Sequence, residues 1–151
     1  MKIILFQPQI PQNTGNVART CAATQTGLIL VRPLGFSLSN RQMKRAGLDY
    51  WDTVAVETID SLEAFLTTNS DPVFFFSSKA NCSYTSANYS SNALLVFGSE
   101  TSGLPDFFWE RYPDRFYTIP MAPGQRCLNL ASSAAIVLYE ALRQTNFTFS
   151  A

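Results

Sequence analysis

Two uninterrupted apolar runs, Val73-Phe74-Phe75-Phe76 and Leu94-Leu95-Val96-Phe97, constrain the fold of this chain more than any other feature. A strand with one wet face alternates apolar and polar residues, whereas four consecutive large apolar side chains need cover on both faces. A mostly parallel sheet with helices on either side provides that cover. Short β-rich runs and helical patterns alternate along the rest of the chain, which fits the same α/β class. Strands are expected at about Lys2–Gln7, Leu28–Val31, Thr53–Glu57, Val73–Phe76, Ala93–Phe97 and Phe116–Ile119. Helices are expected at Thr14–Thr24, Asn40–Arg45, Ser61–Thr67, Pro105–Arg111 and from about Leu128 to Arg143. Asn13 and Thr14 can cap the first helix, Asp60 with Glu63 forms a capping-box pattern, and Ser77–Asn92 reads as an exposed connection. With 151 residues, 46% of them hydrophobic, the chain can bury one core, and a single domain over residues 1–151 is expected.

Composition removes whole classes of chemistry. A chain with no histidine cannot run a Ser-His-Asp or Cys-His mechanism and lacks the commonest transition-metal ligand. Cys21, Cys82 and Cys127 are widely separated, with no C-x-x-C spacing, so neither a disulfide framework nor a metal site is expected. Reduced thiols fit a cytoplasmic protein. Met1-Lys2 leads directly into Ile3-Ile4-Leu5-Phe6, too short for a signal peptide, and no apolar run reaches the ~18–20 residues that span a bilayer. No membrane partner is expected.

The net charge of zero conceals a segregation. From Met1 to Gly47 there are six basic residues (Lys2, Arg19, Arg32, Arg41, Lys44, Arg45) and no acidic one. From Leu48 to Ser78 there are six acidic residues (Asp49, Asp52, Glu57, Asp60, Glu63, Asp71) and no basic one. Either the two segments neutralise each other across the fold, or the first presents a basic face to a polyanion.

Three loops each follow an expected strand, the place where open α/β sheets gather ligands. Gln7–Arg19 leads into the first helix, whose free amides suit phosphate; a well-capped helix with a solvated arginine is the structural alternative. Gly98-Ser99-Glu100-Thr101-Ser102-Gly103-Leu104-Pro105 has glycines that allow close backbone approach to a ligand, or that simply form a turn. It lacks a Walker lysine and is not G-x-G-x-x-G. Ile119–Leu130 is stiffened by Pro120 and Pro123 around exposed amides and carbonyls, which suits an adenine or ribose. The helix it opens is apolar around most of its circumference and needs cover on two sides, in the core and against a partner subunit.

Together the three segments carry a resemblance: Pro-x-Ile-Pro-x-Asn-Thr-Gly-Asn-x-x-Arg near the start, Phe-Gly-x-Glu-Thr-x-Gly-Leu-Pro, and Ile-Pro-Met-x-Pro before Leu-Asn-Leu. With Arg45-Ala46-Gly47-Leu48-Asp49-Tyr50, these residues resemble the SPOUT superfamily of methyltransferases, in particular its small TrmL-like branch, across essentially the whole chain. The resemblance implies methyl transfer from S-adenosylmethionine to the ribose 2′-hydroxyl of the wobble nucleotide, cytidine or uridine, of leucine tRNAs. It also implies a homodimer and a C-terminal trefoil knot. Carried over by position, the donor site would be lined by Phe76, Gly98, Glu100, Ile119, Met121, Cys127 and Leu128. Arg19 would be the catalytic arginine, and Asn13, Asn16, Arg41, Lys44 and Arg45 would face the tRNA. Relatives commonly have serine where Cys127 stands and another serine where this chain has Ala131. The first departure preserves a backbone contact, and the hydroxyl missing from the second falls to a neighbour such as Ser132.

The chemistry is consistent with these residues. Attack of a ribose oxygen on a sulfonium methyl needs in-line positioning and a group that favours alkoxide character. A guanidinium with a pKa above ~12 is a poor base, so Arg19 is given electrostatic and orienting work, with the proton leaving through a substrate phosphate or water. Two other classes share features with the sequence. A flavodoxin-like electron carrier has a Thr-Gly-Asn in its first loop, as at Thr14-Gly15-Asn16, and a catalytically silent RNA-binding relative would keep the basic segment.

Overall fold

The computed structural model describes residues 1–39, 41, 43 and 51–149. Among these, seven parallel strands form one sheet: β1 Lys2–Phe6, β2 Gly27–Val31, β3 Val56–Ile59, β4 Val73–Phe76, β5 Cys82–Ser83, β6 Leu94–Phe97 and β7 Phe116–Thr118, in the order β3-β2-β1-β6-β4-β7-β5. The helices are α1 Pro11–Thr24, α2 Leu62–Thr68, α3 Asp106–Arg111 and α4 Leu130–Gln144. Arg41 and Met43 are also helical, and the rest of the helix expected at Asn40–Arg45 lies outside the described residues, as do Lys44, Arg45 and the segment to Tyr50. No helix among the described residues is long and apolar enough to cross a membrane.

The apolar runs are covered on both faces as their composition requires. Ile3, Leu5, Leu28, Leu30, Phe74, Phe76, Leu95 and Phe97 pack with Val17, Ala18 and Cys21 of α1 and with Ala134, Val137 and Leu138 of α4. The intervening residues Ile4, Ile29, Val73, Phe75, Leu94 and Val96 pack with Leu62 and Leu66 of α2 and Phe108 of α3. Successive side chains on a strand point to opposite faces, so this split follows directly from the pleat. Phe75 is fully buried, stacked on Phe116 at 4.9 Å and flanked by Tyr112 and Phe108. Phe75→Ala should therefore cost about 3–5 kcal/mol, read as a fall in the urea midpoint with unchanged m-value.

Several local expectations shift. The third strand starts at Val56, after a 3-10 turn at Trp51–Thr53 that occupies the expected strand start. Ser61, not Asp60, caps α2, accepting from the Ala64 amide at 3.1 Å, while Asp60 pairs with Arg32 at 3.0 Å. That ion pair and Lys2–Glu57 at 3.8 Å join the basic segment to the acidic one, so part of the charge segregation is neutralised within the fold. Both pairs are exposed and contribute little to stability. The span 77–92 is more than a connection, because β5 closes the sheet edge and Tyr89 is buried, with its hydroxyl donating to the Tyr84 carbonyl at 2.6 Å. The last helix begins at Leu130, two residues later than expected, with Asn129 as its cap.

Candidate functional site

The carboxyl ends of β1, β4, β6 and β7 open onto one cavity of about 730 Å³. Their following loops bend inward for identifiable local reasons. Gln7 ends β1 with φ 46°, a left-handed conformation rare for a residue with a side chain, and the Gln9 side-chain amide braces it by donating to the Gln7 carbonyl at 2.8 Å. Gly98 ends β6 where the loop folds back on itself through paired Ser99 and Gly103 backbone bonds. A Cβ there would sit 2.5 Å from the Gly103 carbonyl carbon, so only glycine fits. Gly103 is at φ 66° and Gly124 at φ 77°, both in the left-handed region that the turns require.

All seven residues expected at the donor site, Phe76, Gly98, Glu100, Ile119, Met121, Cys127 and Leu128, line this cavity. Their side chains do not play equal parts. Phe76, Ile119, Met121 and Leu128 give apolar walls. The Cys127 thiol lies 3.0 Å from the Ser78 hydroxyl, whereas the buried Cys21 thiol is pushed up to about 12 by desolvation and stays inert. The Glu100 carboxylate is turned toward the chain itself. Its Oε2 accepts from the Gln9 backbone amide at 2.8 Å, and its Oε1 accepts from the Ile10 amide at 3.1 Å and the Asn13 Nδ2 at 3.2 Å.

These bonds explain how α1 starts. Ile10 is its cap residue and offers no side-chain bond, and Pro11 opens the first turn. The negative charge expected near a helix N-terminus comes from Glu100, some ninety residues away. Asn13 and Thr14, expected as caps, lie inside the helix and are buried. Asn13 is largely buried and lines the cavity. The Thr14-Gly15-Asn16 sequence is helical as well, so it forms no loop of the flavodoxin kind, and β1 lies between β2 and β6 instead of following the flavodoxin order.

Arg19 sits eight residues past Pro11, about 12 Å along α1 at ~1.5 Å per residue, deeper than the single turn expected. It is exposed and is not among the cavity-lining residues; Asn16 and Arg41 are likewise exposed and outside the cavity. Sequence reasoning missed Ser77, Ser78 and Lys79, which line the cavity directly after β4. Their position just past a buried strand was the available signal. Ser133, not Ser132, presents a hydroxyl-bearing residue to the cavity near Ala131, because residues one apart on a helix point about 100° apart. Among the described residues, no group of three or more Cys, Asp or Glu side chains could hold a metal ion.

The cavity lies within the ~300–1,000 Å³ range of small-ligand sites, and its mixture of apolar walls, backbone amides and carbonyls suits a nucleoside. Lys79, Glu100 and Asp106 are its charged lining residues.

Comparison with known proteins places this geometry. The model of the SpoU rRNA Methylase family matches residues 1–139. A tRNA (cytidine(34)-2′-O)-methyltransferase of Methylovorus glucosotrophus is 42% identical over 147 residues, covering 96% of each chain. A solved structure described as "Structural insights into the 2-OH methylation of C/U34 on tRNA" is 44% identical with TM-score 0.89, covering 96% of this chain and 95% of that one. An AdoMet-bound rRNA methyltransferase from Sinorhizobium meliloti superposes with TM-score 0.82 at 26% identity, covering 94% of this chain and 55% of that one.

Proposed function

The chain belongs to the SpoU methylase family, and on that premise we propose that it methylates the ribose 2′-hydroxyl of the wobble nucleotide, cytidine or uridine 34, of leucine tRNAs, with S-adenosylmethionine as donor. The observation that carries this reading is the convergence of three loops from distant parts of the sequence on one nucleoside-sized cavity. We read residues 1–151 as one cytoplasmic methyltransferase domain. The trefoil knot implied by the family resemblance belongs to the same reading; α4 packs on α1 and β6.

The donor supplies an electrophilic methyl at its sulfonium, and Phe76, Gly98, Ile119, Met121, Cys127 and Leu128 would hold its nucleoside. The S–CH3 bond breaks as the O2′–CH3 bond forms, and the hydroxyl proton leaves to a substrate phosphate or water. A guanidinium is a poor base, so Arg19 is given the work of stabilising the developing alkoxide and orienting the ribose. Asn16, Arg41, Lys44 and Arg45 would meet the phosphate backbone.

Nucleoside mass spectrometry of leucine tRNAs from cells with and without the gene tests this reading. A 2′-O-methylated nucleoside 34 should be present in the first and absent in the second, and restored by purified protein and donor. Unchanged nucleoside 34 in the deletion would overturn it.

A homodimer is also proposed, supported by the outer face of α4, where Ile136 is 37% and Tyr139 48% exposed while Leu138 is fully buried. The two positions should separate by experiment. Ile136→Glu should lower the mass seen by light scattering toward the monomer with the circular dichroism spectrum retained, whereas Leu138→Glu should abolish folding. A wild-type protein that is monomeric at all concentrations would remove the interface.

A further inference from the structure

We propose that Lys79 and Asp106 form the subsite for the amino-acid end of the methyl donor, Lys79 taking its α-carboxylate and Asp106 its α-ammonium; this rests on the donor reading above. S-Adenosylmethionine is a nucleoside joined through sulfur to a zwitterion, so a cavity that encloses it needs apolar walls for one part and opposite charges for the other. A carboxylate and an ammonium drawn out of water without such partners are held at a heavy cost. Phe76, Ile119, Met121 and Leu128 supply the walls, and Lys79, Glu100 and Asp106 are the charged lining residues. Glu100 is committed to the chain, accepting from the Gln9 and Ile10 amides and from Asn13 Nδ2. Among the described residues, neither the Lys79 ammonium nor the Asp106 carboxylate has an ion-pair or hydrogen-bond partner, which leaves one charge of each sign for a ligand.

The fold sets both charges at one end of the cavity. β4 and β6 are neighbours, with Phe76 opposite Phe97 and the two rings stacked at 5.0 Å. Lys79 follows Phe76 closely, on a turn in which the Ser77 hydroxyl accepts from the Lys79 amide at 3.2 Å and the Ser77 carbonyl accepts from the Ala80 amide at 3.2 Å. Ala80 is buried in the same cluster as Leu104 and Phe108, which flank Asp106. Both charged residues are therefore anchored on the face of the sheet that α2 and α3 cover. Trp109 lies on the same side of α3 as Asp106, because residues three apart on a helix are neighbours; it also lines the cavity and stacks on Phe116 at 3.6 Å. The other end, toward α1 and α4, is lined by Asn13, Leu130 and Ser133, and its charged residue is the committed Glu100.

Four thioethers separate the two contacts: S-adenosylhomocysteine, its descarboxy analogue with hydrogen in place of the carboxylate, its deamino analogue with hydrogen in place of the amino group, and 5′-methylthioadenosine, which lacks both groups. The sulfur is uncharged in all four, so differences among them report the amino-acid end. By calorimetry, the wild-type protein should bind S-adenosylhomocysteine more than about tenfold more tightly than 5′-methylthioadenosine, with the other two between. Lys79→Met should weaken S-adenosylhomocysteine and the deamino analogue about tenfold while the descarboxy analogue and 5′-methylthioadenosine stay within about twofold. Asp106→Asn should weaken S-adenosylhomocysteine and the descarboxy analogue about tenfold while the deamino analogue and 5′-methylthioadenosine stay within about twofold.

5′-Methylthioadenosine keeps the whole nucleoside, so its unchanged affinity in both variants also shows that the cavity is intact. Equal affinity of all four ligands for the wild-type protein would overturn the subsite and leave the donor reading standing. A variant that weakens all four alike, a variant that weakens none, or the two selectivity patterns exchanged between the residues would each overturn it as well. Lys79→Met with wild-type affinity for S-adenosylhomocysteine and weaker tRNA binding would overturn it in favour of a contact to a tRNA phosphate. A wild-type protein that binds none of the four and transfers no methyl group to tRNA would overturn the donor reading, and the subsite with it.

Discussion

Arg19→Ala should slow single-turnover methyl transfer by about 10²–10³-fold while donor affinity, measured by calorimetry, stays within about twofold of wild type. The separation follows from geometry. Arg19 lies on the exposed face of α1 and outside the lining of the cavity, so its loss removes nothing that a bound donor touches. In the proposed mechanism it removes the fixed positive charge offered to the acceptor oxygen as that oxygen gains negative charge. Arg19→Lys should recover little of the rate, since a flexible point charge does not reproduce a planar fork that both orients and stabilises. Arg41→Ala should behave differently, weakening tRNA binding severalfold and reducing its salt dependence by about one phosphate contact, with the saturated rate kept. A near-wild-type saturated rate for Arg19→Ala would remove it from the chemistry, and a loss that excess tRNA restores would move it into binding.

The sheet was legible because its evidence is local and redundant. Val73–Phe76 and Leu94–Phe97 each state their double burial in four consecutive residues, and the observed strands coincide with them to within one residue. The cavity's lining was legible for a related reason, since residues directly after buried strands end up at one edge of a parallel sheet whatever their order in the chain. Where reading failed, the deciding partner was distant. Pro11 at the first helical position is the one local sign of a helix start there, and the charge that steadies it belongs to distant Glu100. Asn13 reads as a cap because short polar residues before a helix usually are one, but it lies inside the helix and is bonded to Asn129, 116 residues away. Gly98 is a place of close approach, as its loop suggests, and the backbone of Gly103, farther along the same loop, is what a Cβ there would strike.

That last point matters for a mixing experiment, in which Arg19→Ala and Gly98→Val are each inactive alone and activity returns when they are combined. A valine at position 98 would collide with the backbone of Gly103 and Leu104, displacing the loop that forms one wall of the cavity, so that chain should lose donor binding while its α1 and Arg19 stay intact. The Arg19→Ala chain keeps its cavity and lacks only the guanidinium. Arg19 lies outside its own chain's cavity lining and the outer face of α4 exposes Ile136 and Tyr139, so in the proposed dimer the Arg19 of one chain would serve the donor held by the other. An equal mixture of exchanging dimers contains one half heterodimers, each with one complete site, so the rate should return to about a quarter of wild type. If each site used Arg19 of its own chain, no heterodimer would hold a complete site and the mixture would stay inactive. Introducing Ile136→Glu into both chains should abolish the recovery, because it prevents assembly without touching either cavity; recovery that survives this change would show that the two chains complement each other without the α4 face.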